Sequence, residues 1–107
     1  MTKMTVAMRT WEWRVKPAET ARFVDFSKKA KSWFEANGAS VRLWQKNVAG
    51  PESGTWLFAC EFPSVEKYGA AMDKALTDAT FAADAAAFTA SGAAENVGNT
   101  LVIEVPL

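Results

Sequence analysis

Hydrophobic and polar positions alternate in four stretches of this chain and recur at helical spacing between them. The first alternating stretch, residues 4–15, places Val6 and Met8 on one side and Ala7, Arg9, Trp11, Trp13 and Val15 on the other. A period of two is typical of a β-strand. The apolar residues that follow recur at intervals of three and four, namely Phe23, Phe26, Ala30, Trp33 and Phe34. This spacing predicts an amphipathic helix that begins at Pro17–Glu19 and ends at Asn37-Gly38.

The middle of the chain predicts a β-hairpin. Residues 40–48 and 55–62 are rich in apolar and aromatic side chains, and residues 50–54, Gly-Pro-Glu-Ser-Gly, are typical of a turn. In the first of these strands Val41 and Leu43 lie opposite Arg42, Trp44 and Val48. In the second, Leu57 and Ala59 lie opposite Trp56, Phe58, Cys60 and Phe62.

The last part of the chain predicts helical structure and then a final strand. Ser64 can cap a helix that turns the following side chains inward: Val65, Tyr68, Met72 and Leu76. Another helical stretch starts at Thr77 or Asp78 and ends at Gly92, with an apolar face formed by Phe81, Ala85 and Phe88. The pattern leaves open whether these stretches form two helices or one kinked helix. The final strand is indicated by the alternation of Leu101, Ile103 and Val105.

Apolar side chains on both faces of the strands predict a homodimer. Helices on connections of this kind pack on one face of a four-stranded antiparallel sheet. The sequence does not indicate which face this is, but both faces carry apolar residues from several strands, such as Met8, Trp44 and Leu57. Such a patch is larger than soluble monomers usually expose. A two-fold dimer through the sheet faces would cover the same patch on both copies.

The start of the chain resembles a known family. The segment Arg-Thr-Trp-Glu-Trp-Arg-Val-Lys-Pro at residues 9–17, followed by a helix with Phe23 in its second turn, resembles the opening of NIPSNAP-like proteins. The whole element order, β-α-β-β-α-β, is similar to that of the dimeric α+β barrels, a ferredoxin-like superfamily whose members pair their sheets. The resemblance implies an α+β fold with a four-stranded antiparallel sheet and helices on one face. It implies no single function, because the superfamily includes monooxygenases, haem-degrading enzymes, isomerases and stress-response proteins.

Composition narrows the classes of function. A chain of 107 residues is typical of one domain, so we expect a single domain over residues 1–107. Lys+Arg and Asp+Glu number 12 each, which offers no general attraction to nucleic acid or to an anionic membrane. No stretch approaches the ~20 apolar residues that span a bilayer, and a single cysteine suits a reducing compartment. We therefore expect a cytoplasmic protein.

The chain contains no histidine, which limits its chemistry. It lacks the usual general base near neutral pH and the commonest metal ligand. Cys60 cannot form a Cys-His nucleophile, and its place between Phe58 and Phe62 favours an inert core thiol. We expect neither a metal site nor a cofactor.

The residues most able to bind a ligand lie on the strands and the second helix. The strand tryptophans either pack in the core and the dimer interface or line a pocket for a flat apolar or aromatic ligand. Arg9 and Arg42 each precede a tryptophan by two positions. Each pairs with a glutamate (Glu12, Glu61 or Glu104), stacks on a ring, or holds a carboxylate or phenolate of a ligand. No catalytic residue is assigned. The candidate ligand-binding residues are Arg9, Trp11, Arg42, Trp44, Trp56, Tyr68 and Met72.

Three functions remain open. The protein is a small homodimer that binds an apolar or aromatic metabolite, a cofactor-independent monooxygenase-like enzyme, or a purely structural or interaction barrel. An apolar pocket favours the first, and a pocket that holds an arginine and Tyr68 favours the second. A closed, dry interior favours the third.

Overall fold

The computed structural model describes residues 5–50 and 54–107. The helices and strands are β1 (Ala7–Val15), a 3-10 turn (Pro17–Glu19), α1 (Thr20–Ala36), β2 (Ser40–Gln45), β3 (Trp56–Phe62), α2 (Val65–Thr77), α3 (Ala79–Ser91) and β4 (Ala94–Ile103). The strands form one antiparallel sheet in the order β2-β3-β1-β4. This is a ferredoxin-like α+β fold, so the fold class predicted from the sequence is confirmed.

The register of the strands shows which sheet face the helices cover. Trp11 on β1 and Leu43 on β2 both pair with Phe58 on β3. The ring of Phe34 on α1 lies 5.6 Å from that of Trp11 and 6.0 Å from that of Phe58, measured between centroids. The face that carries Trp11 and Phe58 is therefore the helix face. Because side chains alternate along a strand, the opposite face, here called the open face, carries Met8, Thr10, Glu12, Arg42, Trp44, Leu57, Ala59 and Val102.

The first helix matches its prediction. Phe23, Ala30 and Phe34 are buried on one side of α1, and the chain turns at Gly38 with a φ of 94°. A positive φ of this size favours glycine, since a side chain clashes with the backbone there. α1 therefore contributes an aromatic layer directly against the helix face.

The helical stretches after β3 are two separate helices. Asp78 lies between them with φ −86° and ψ 99°, outside the helical region. Its backbone N–H donates to the Lys74 carbonyl at the end of α2, and its side chain accepts a bond of 2.9 Å from the Phe81 N–H at the start of α3. The Trp33 indole of α1 donates to the same carboxylate at 2.8 Å. One aspartate thus ends one helix, begins the next and ties both to α1.

Part of the predicted inward face of α2 was wrong. Leu76 is 84% exposed and Val65 is 43% exposed, whereas Ala71 is buried and Met72 is partly buried. Leu76 belongs to the last turn of α2, where the chain turns away into α3 at Asp78. At this end the sheet is covered by α3 instead of by the last turn of α2.

The strand ends differ from the prediction at the hairpin and at β4. Bonds between the backbones of Lys46 and Thr55 and of Gly54 and Lys46 close the hairpin early, so β2 ends at Gln45 and Val48 is exposed outside it. Residues 51–53 of the predicted turn, and residue 4 of the predicted first strand, lie outside the described residues. β4 begins earlier than predicted, at Ala94, and ends before Val105. Nowhere in the described ranges is a helix both long and apolar enough to cross a membrane.

Candidate functional site

A cavity of about 390 Å³ lies between the helix face of the sheet and the helices. This volume falls at the lower end of the ~300–1,000 Å³ that is typical of small-molecule sites. Its apolar wall consists of aromatic rings, small side chains and one methionine: Trp11, Trp13, Phe23, Phe26, Phe34, Phe58, Phe81, Phe88, Ala30, Ala75, Ala85 and Met72. The cavity therefore offers flat apolar surfaces to a molecule of modest size.

Alanines on the helices leave this space open. Ala30 of α1, Ala75 of α2 and Ala85 of α3 all line the cavity. A larger side chain at any of these positions would occupy part of the space. The aromatic rings around them are held by one another: Phe26 stacks on Phe88 with a centroid distance of 4.3 Å and an interplanar angle of 2°. The alanine-rich composition of α3 thus has a structural consequence, because it leaves room between that helix and the sheet.

Two asparagines of β4, together with Ser27 and Thr89, form the polar part of the wall. Asn96 and Asn99 line the cavity and are both exposed, so the cavity reaches the surface beside this strand. Asn96 uses its amide N–H to bond the carbonyls of Glu12 and Gly98. Asn99 is therefore the asparagine with an amide that is not already bound to the backbone.

Arg9 organises a polar cluster beside the cavity. Arg9 and Tyr68 do not line the cavity themselves, and Asn99 connects the cluster to its wall. Its Nη1 donates to the Tyr68 hydroxyl at 2.7 Å, and its Nη2 donates to Oδ1 of Asn99 at 2.8 Å. The guanidinium carbon lies 4.8 Å from the centroid of the Trp11 ring. Trp11, Asn99 and Met72, one turn beyond Tyr68 on α2, all line the cavity. We call Arg9, Tyr68 and Asn99 the rim cluster.

No carboxylate of the described residues forms an ion pair with Arg9. Glu12 and Glu61, two of the expected partners, lie on the open face. Side chains alternate along a strand, and both glutamates occupy positions that face away from Arg9. The Nε atom of Arg9 is shielded from water, and within the described part of the chain it has no acceptor. The arginine therefore stacks on an aromatic ring, which was one of the expected alternatives, and its charge has no counter-ion among the described residues.

The other candidate residues divide between the two faces of the sheet. Trp56 lies on the helix face and packs against Phe23, with the ring centroids 5.6 Å apart, behind the cavity wall. Arg42 and Trp44 lie on the open face, where the guanidinium carbon of Arg42 is 6.0 Å from the Trp44 ring. The structure thus brings Arg9, Trp11, Tyr68 and Met72 together and places Arg42 and Trp44 away from them.

Asn99 was not among the candidates from the sequence. It lies two residues before Leu101, so the alternation of the final strand, extended toward the N-terminus, would have placed it on the same face as Leu101. Residues 95–100 are mostly polar, so no alternation of apolar and polar side chains marks this part of the strand. An edge strand that is exposed on both sides does not show the alternation from which strands are predicted.

Cys60 takes no part in this chemistry. It is fully buried on β3, and burial raises the pKa of its thiol to about 12, although the nearby charge of Arg9 acts in the opposite direction. A thiol with this pKa remains protonated near neutral pH and is a poor nucleophile. Across residues 5–50 and 54–107, no three histidine, cysteine, aspartate or glutamate side chains come together as a metal site.

The open face mixes apolar and charged side chains. Trp44 is 52% exposed and Val102 is 45% exposed, whereas Ala59 between them is buried. Glu12 accepts bonds from the Lys46 ammonium and the Thr55 hydroxyl, and the bond from Lys46 lowers the pKa of its carboxyl. The charges at this end of the face are therefore paired within the chain, and large apolar side chains remain exposed around them.

Comparison with known proteins identifies the fold. No family model matches the chain, and no curated protein matches it. Among solved structures, an uncharacterised NIPSNAP domain protein from Burkholderia xenovorans has a TM-score of 0.65 and 16% identity, with 97% of this chain and 95% of that chain covered. SnoaB, a cofactor-independent oxygenase from Streptomyces nogalater, has a TM-score of 0.61 and 13% identity over 95% of this chain and 92% of its own.

A third similar structure is a protein of unknown function from Bacteroides thetaiotaomicron, described as a possible oxidoreductase. Its TM-score is 0.62 at 11% identity, and 96% of this chain and 98% of that chain are covered. At these identities the likeness shows the fold alone. The structural resemblance to a NIPSNAP domain and to α+β barrel proteins, expected from the first strand and the element order, is confirmed.

Proposed function

We propose that the protein binds a small, flat, apolar or aromatic molecule in the cavity between the helix face and the helices. The observation that carries this proposal is the cavity itself, with aromatic walls and one polar cluster at its rim. Small-molecule sites commonly combine an apolar wall with a few convergent polar groups.

The energetics of packing support a bound ligand. Protein interiors are close-packed, and side chains that border an empty space forgo dispersion contacts on that side. Here the bordering side chains are mostly aromatic, and some of the largest rings in the chain face the space. A planar ligand would supply the missing contacts to rings such as Trp11, Phe58 and Phe88.

The test is a calorimetric titration with two naphthalene-sized probes, 2-naphthoate and 2-naphthamide. Ala85 lines the cavity, whereas Ala83 on the same helix is exposed and does not. Ala85→Leu would fill the cavity, and Ala83→Leu is the matched control with the same change outside it. We expect saturable binding of at least one probe to the wild type and to Ala83→Leu, and a loss of roughly tenfold or more in Ala85→Leu.

Two results would contradict the binding function. Absence of saturable binding of both probes would leave the structural or interaction barrel as the better interpretation. Equal binding to Ala85→Leu and the wild type would place the bound probe somewhere other than this cavity. Thermal melts of both variants establish that each is folded before it is titrated.

We also propose that the protein is a homodimer joined through the open faces of the two sheets. The exposed side chains of Trp44 and Val102 support this interface, and the small Ala59 between them would allow a second sheet to approach closely. A symmetric pair would cover the same apolar side chains in both copies.

Light scattering after size exclusion should give twice the chain mass. Trp44→Glu should shift the protein to a monomer, because it would bury a charge in the interface at high cost. Leu76→Glu is the control, since Leu76 is also apolar and is more exposed than Trp44 but lies on α2. A wild-type monomer at micromolar concentration, or a Trp44→Glu variant that stays dimeric, would disprove this interface.

A second candidate function is the cofactor-independent oxygenation of an electron-rich aromatic molecule in the same cavity. It is favoured by the rim cluster, because the Arg9 charge and the Tyr68 hydroxyl could stabilise an oxyanion formed on such a substrate. The similarity to SnoaB supports this function only through the shared fold. Oxygen uptake with 1,4-dihydroxynaphthalene above the uncatalysed rate, and its loss in Arg9→Lys, would support an enzyme; uptake at the uncatalysed rate would argue against one.

A further inference from the structure

The rim cluster contains a positive charge that no carboxylate of the described residues compensates. Within residues 5–50 and 54–107, Arg9 stacks on Trp11 and bonds to two neutral groups, the Tyr68 hydroxyl and the Asn99 amide oxygen. Its Nε–H is shielded from water and has no acceptor among the described residues. A shielded donor without a partner is unfavourable, and more so on a charged group.

The hydrogen bonds within the cluster leave mainly donors for a ligand. An arginine can donate but cannot accept, so the Tyr68 oxygen must be the acceptor of the bond from Nη1. The hydroxyl proton of Tyr68 therefore remains available. Oδ1 of Asn99 is likewise occupied by Nη2, which leaves the two Nδ2 protons of that amide.

Three kinds of donor thus lie together beside the wall of an apolar cavity: a guanidinium, a phenolic hydroxyl and a carboxamide N–H, of which the carboxamide belongs to a residue that lines the cavity. From this geometry, and resting on the proposed binding function, we infer that the ligand carries an anionic oxygen, a carboxylate or an enolate, at the end that meets Arg9. Such an oxygen accepts several bonds at once and supplies the missing counter-ion. A ligand with a donor at this end would instead face donors.

Asn99 is the specificity-determining residue in this scheme. Its neutral amide oxygen accepts the bond from Nη2, which orients the guanidinium without neutralising it. The positive charge can therefore pair with an anionic ligand. An aspartate at this position would place a carboxylate where Oδ1 now lies, 2.8 Å from Nη2, and would satisfy the arginine internally. The position is exposed, so the substitution adds no buried charge.

The test compares 2-naphthoate with 2-naphthamide, which share a shape but differ in charge and in the presence of an N–H donor. We expect the wild type to bind naphthoate roughly tenfold or more tightly than naphthamide, because charge-assisted bonds are the stronger ones. Asn99→Asp should abolish this preference by weakening naphthoate, while the affinity for naphthamide does not fall.

Asn96→Asp is the matched control. It makes the same change on the same strand and on the same cavity wall, but Asn96 does not bond Arg9. This variant should retain the preference for naphthoate, which separates the loss of a specific partner from general repulsion by an added negative charge. Arg9→Lys supplies an independent second variant, in which the charge remains but the planar fork is lost, and it should also weaken naphthoate.

The outcomes distinguish this inference from the binding function. Equal affinity of the wild type for the two probes, or a preference for naphthoate that survives in Asn99→Asp, would overturn the anionic ligand and leave the apolar cavity site intact. Binding of neither probe would overturn both. A preference lost in Asn99→Asp and kept in Asn96→Asp would support the inference.

Discussion

Phe23 is the side chain whose loss tests the described core most strictly. It is 1% exposed on α1, and its ring lies 5.6 Å from that of Trp56, 6.1 Å from that of Trp13 and 6.2 Å from that of Phe88. Phe23→Ala removes this ring from the centre of an aromatic cluster that joins α1, α3 and the sheet. The expected result is a large loss in the free energy of unfolding.

The size of that loss follows from two opposing features of the site. Burial of a phenylalanine makes its truncation cost about 3–5 kcal/mol, and contacts between aromatic rings favour the upper end of this range. Phe23 also borders the cavity, so part of its ring already lacks neighbours, which favours the lower end. We therefore expect about 4 kcal/mol for Phe23→Ala. Lys28→Ala, at an exposed position of α1, should cost less than about 1 kcal/mol.

Urea denaturation followed by tryptophan fluorescence measures this difference, with all variants at one protein concentration because a dimer unfolds in a concentration-dependent way. For a slope of about 2 kcal/mol per molar urea, Phe23→Ala should lower the midpoint by roughly 2 M. Phe23→Leu, which removes less volume, should fall between this variant and the wild type. A cost for Phe23→Ala below about 1 kcal/mol, similar to that of Lys28→Ala, would refute the described core.

Further predictions concern single groups. Burial raises the pKa of the Cys60 thiol to about 12, so an aromatic disulfide reagent at neutral pH should modify it only as the protein unfolds; modification at the rate of an unstructured cysteine would contradict this burial. The bond from the Phe81 N–H, followed by that from the Trp33 indole, lowers the pKa of Asp78 from 3.8. Asp78 therefore contributes stability above its unfolded pKa that is lost as the pH falls through its folded pKa. Acid should destabilise the wild type more than Asp78→Asn, which keeps one of the two acceptor oxygens but does not titrate; parallel losses would show that the carboxylate contributes nothing. Gly92 ends α3 with a φ of 69°, so Gly92→Ala should lower the free energy of unfolding by about 1 kcal/mol in the same urea assay, and an unchanged value would contradict the left-handed conformation.

Most of the fold could be predicted because the spacing of apolar residues in each segment agrees with the strand or helix that the segment forms. The alternation along β1 placed Trp11 and Trp13 on one face correctly, and the spacing from Phe23 to Phe34 defined α1. The break between α2 and α3 could not be predicted, since an aspartate at position 78 is compatible with a surface position in a long helix as well as with a cap. The bonds from Trp33 and Phe81 that select the cap depend on tertiary structure.

The candidate site was only partly predictable for a related reason. Arg9 and Trp11 share a face through the period of two, and the side chains of Tyr68 and Met72 lie one helical turn apart, so these pairs were expected to stay together. Arg42 and Trp44 could not be separated from them, because β2 has apolar side chains on both faces and its sequence does not show which face the helices cover. The contacts decide this, and they place these two residues on the open face.

The most direct test of the binding site is a crystal structure of the protein with 2-naphthoate. We predict density for the naphthalene ring in the cavity, between α3 and the Trp11 side of the sheet, with the carboxylate within hydrogen-bond distance of Arg9 and Tyr68. Density on the open face, with the ring against Trp44 and the carboxylate on Arg42, would contradict the account and move the site to the other side of the sheet. A crystal grown with saturating probe that shows no density in the cavity would contradict it as well.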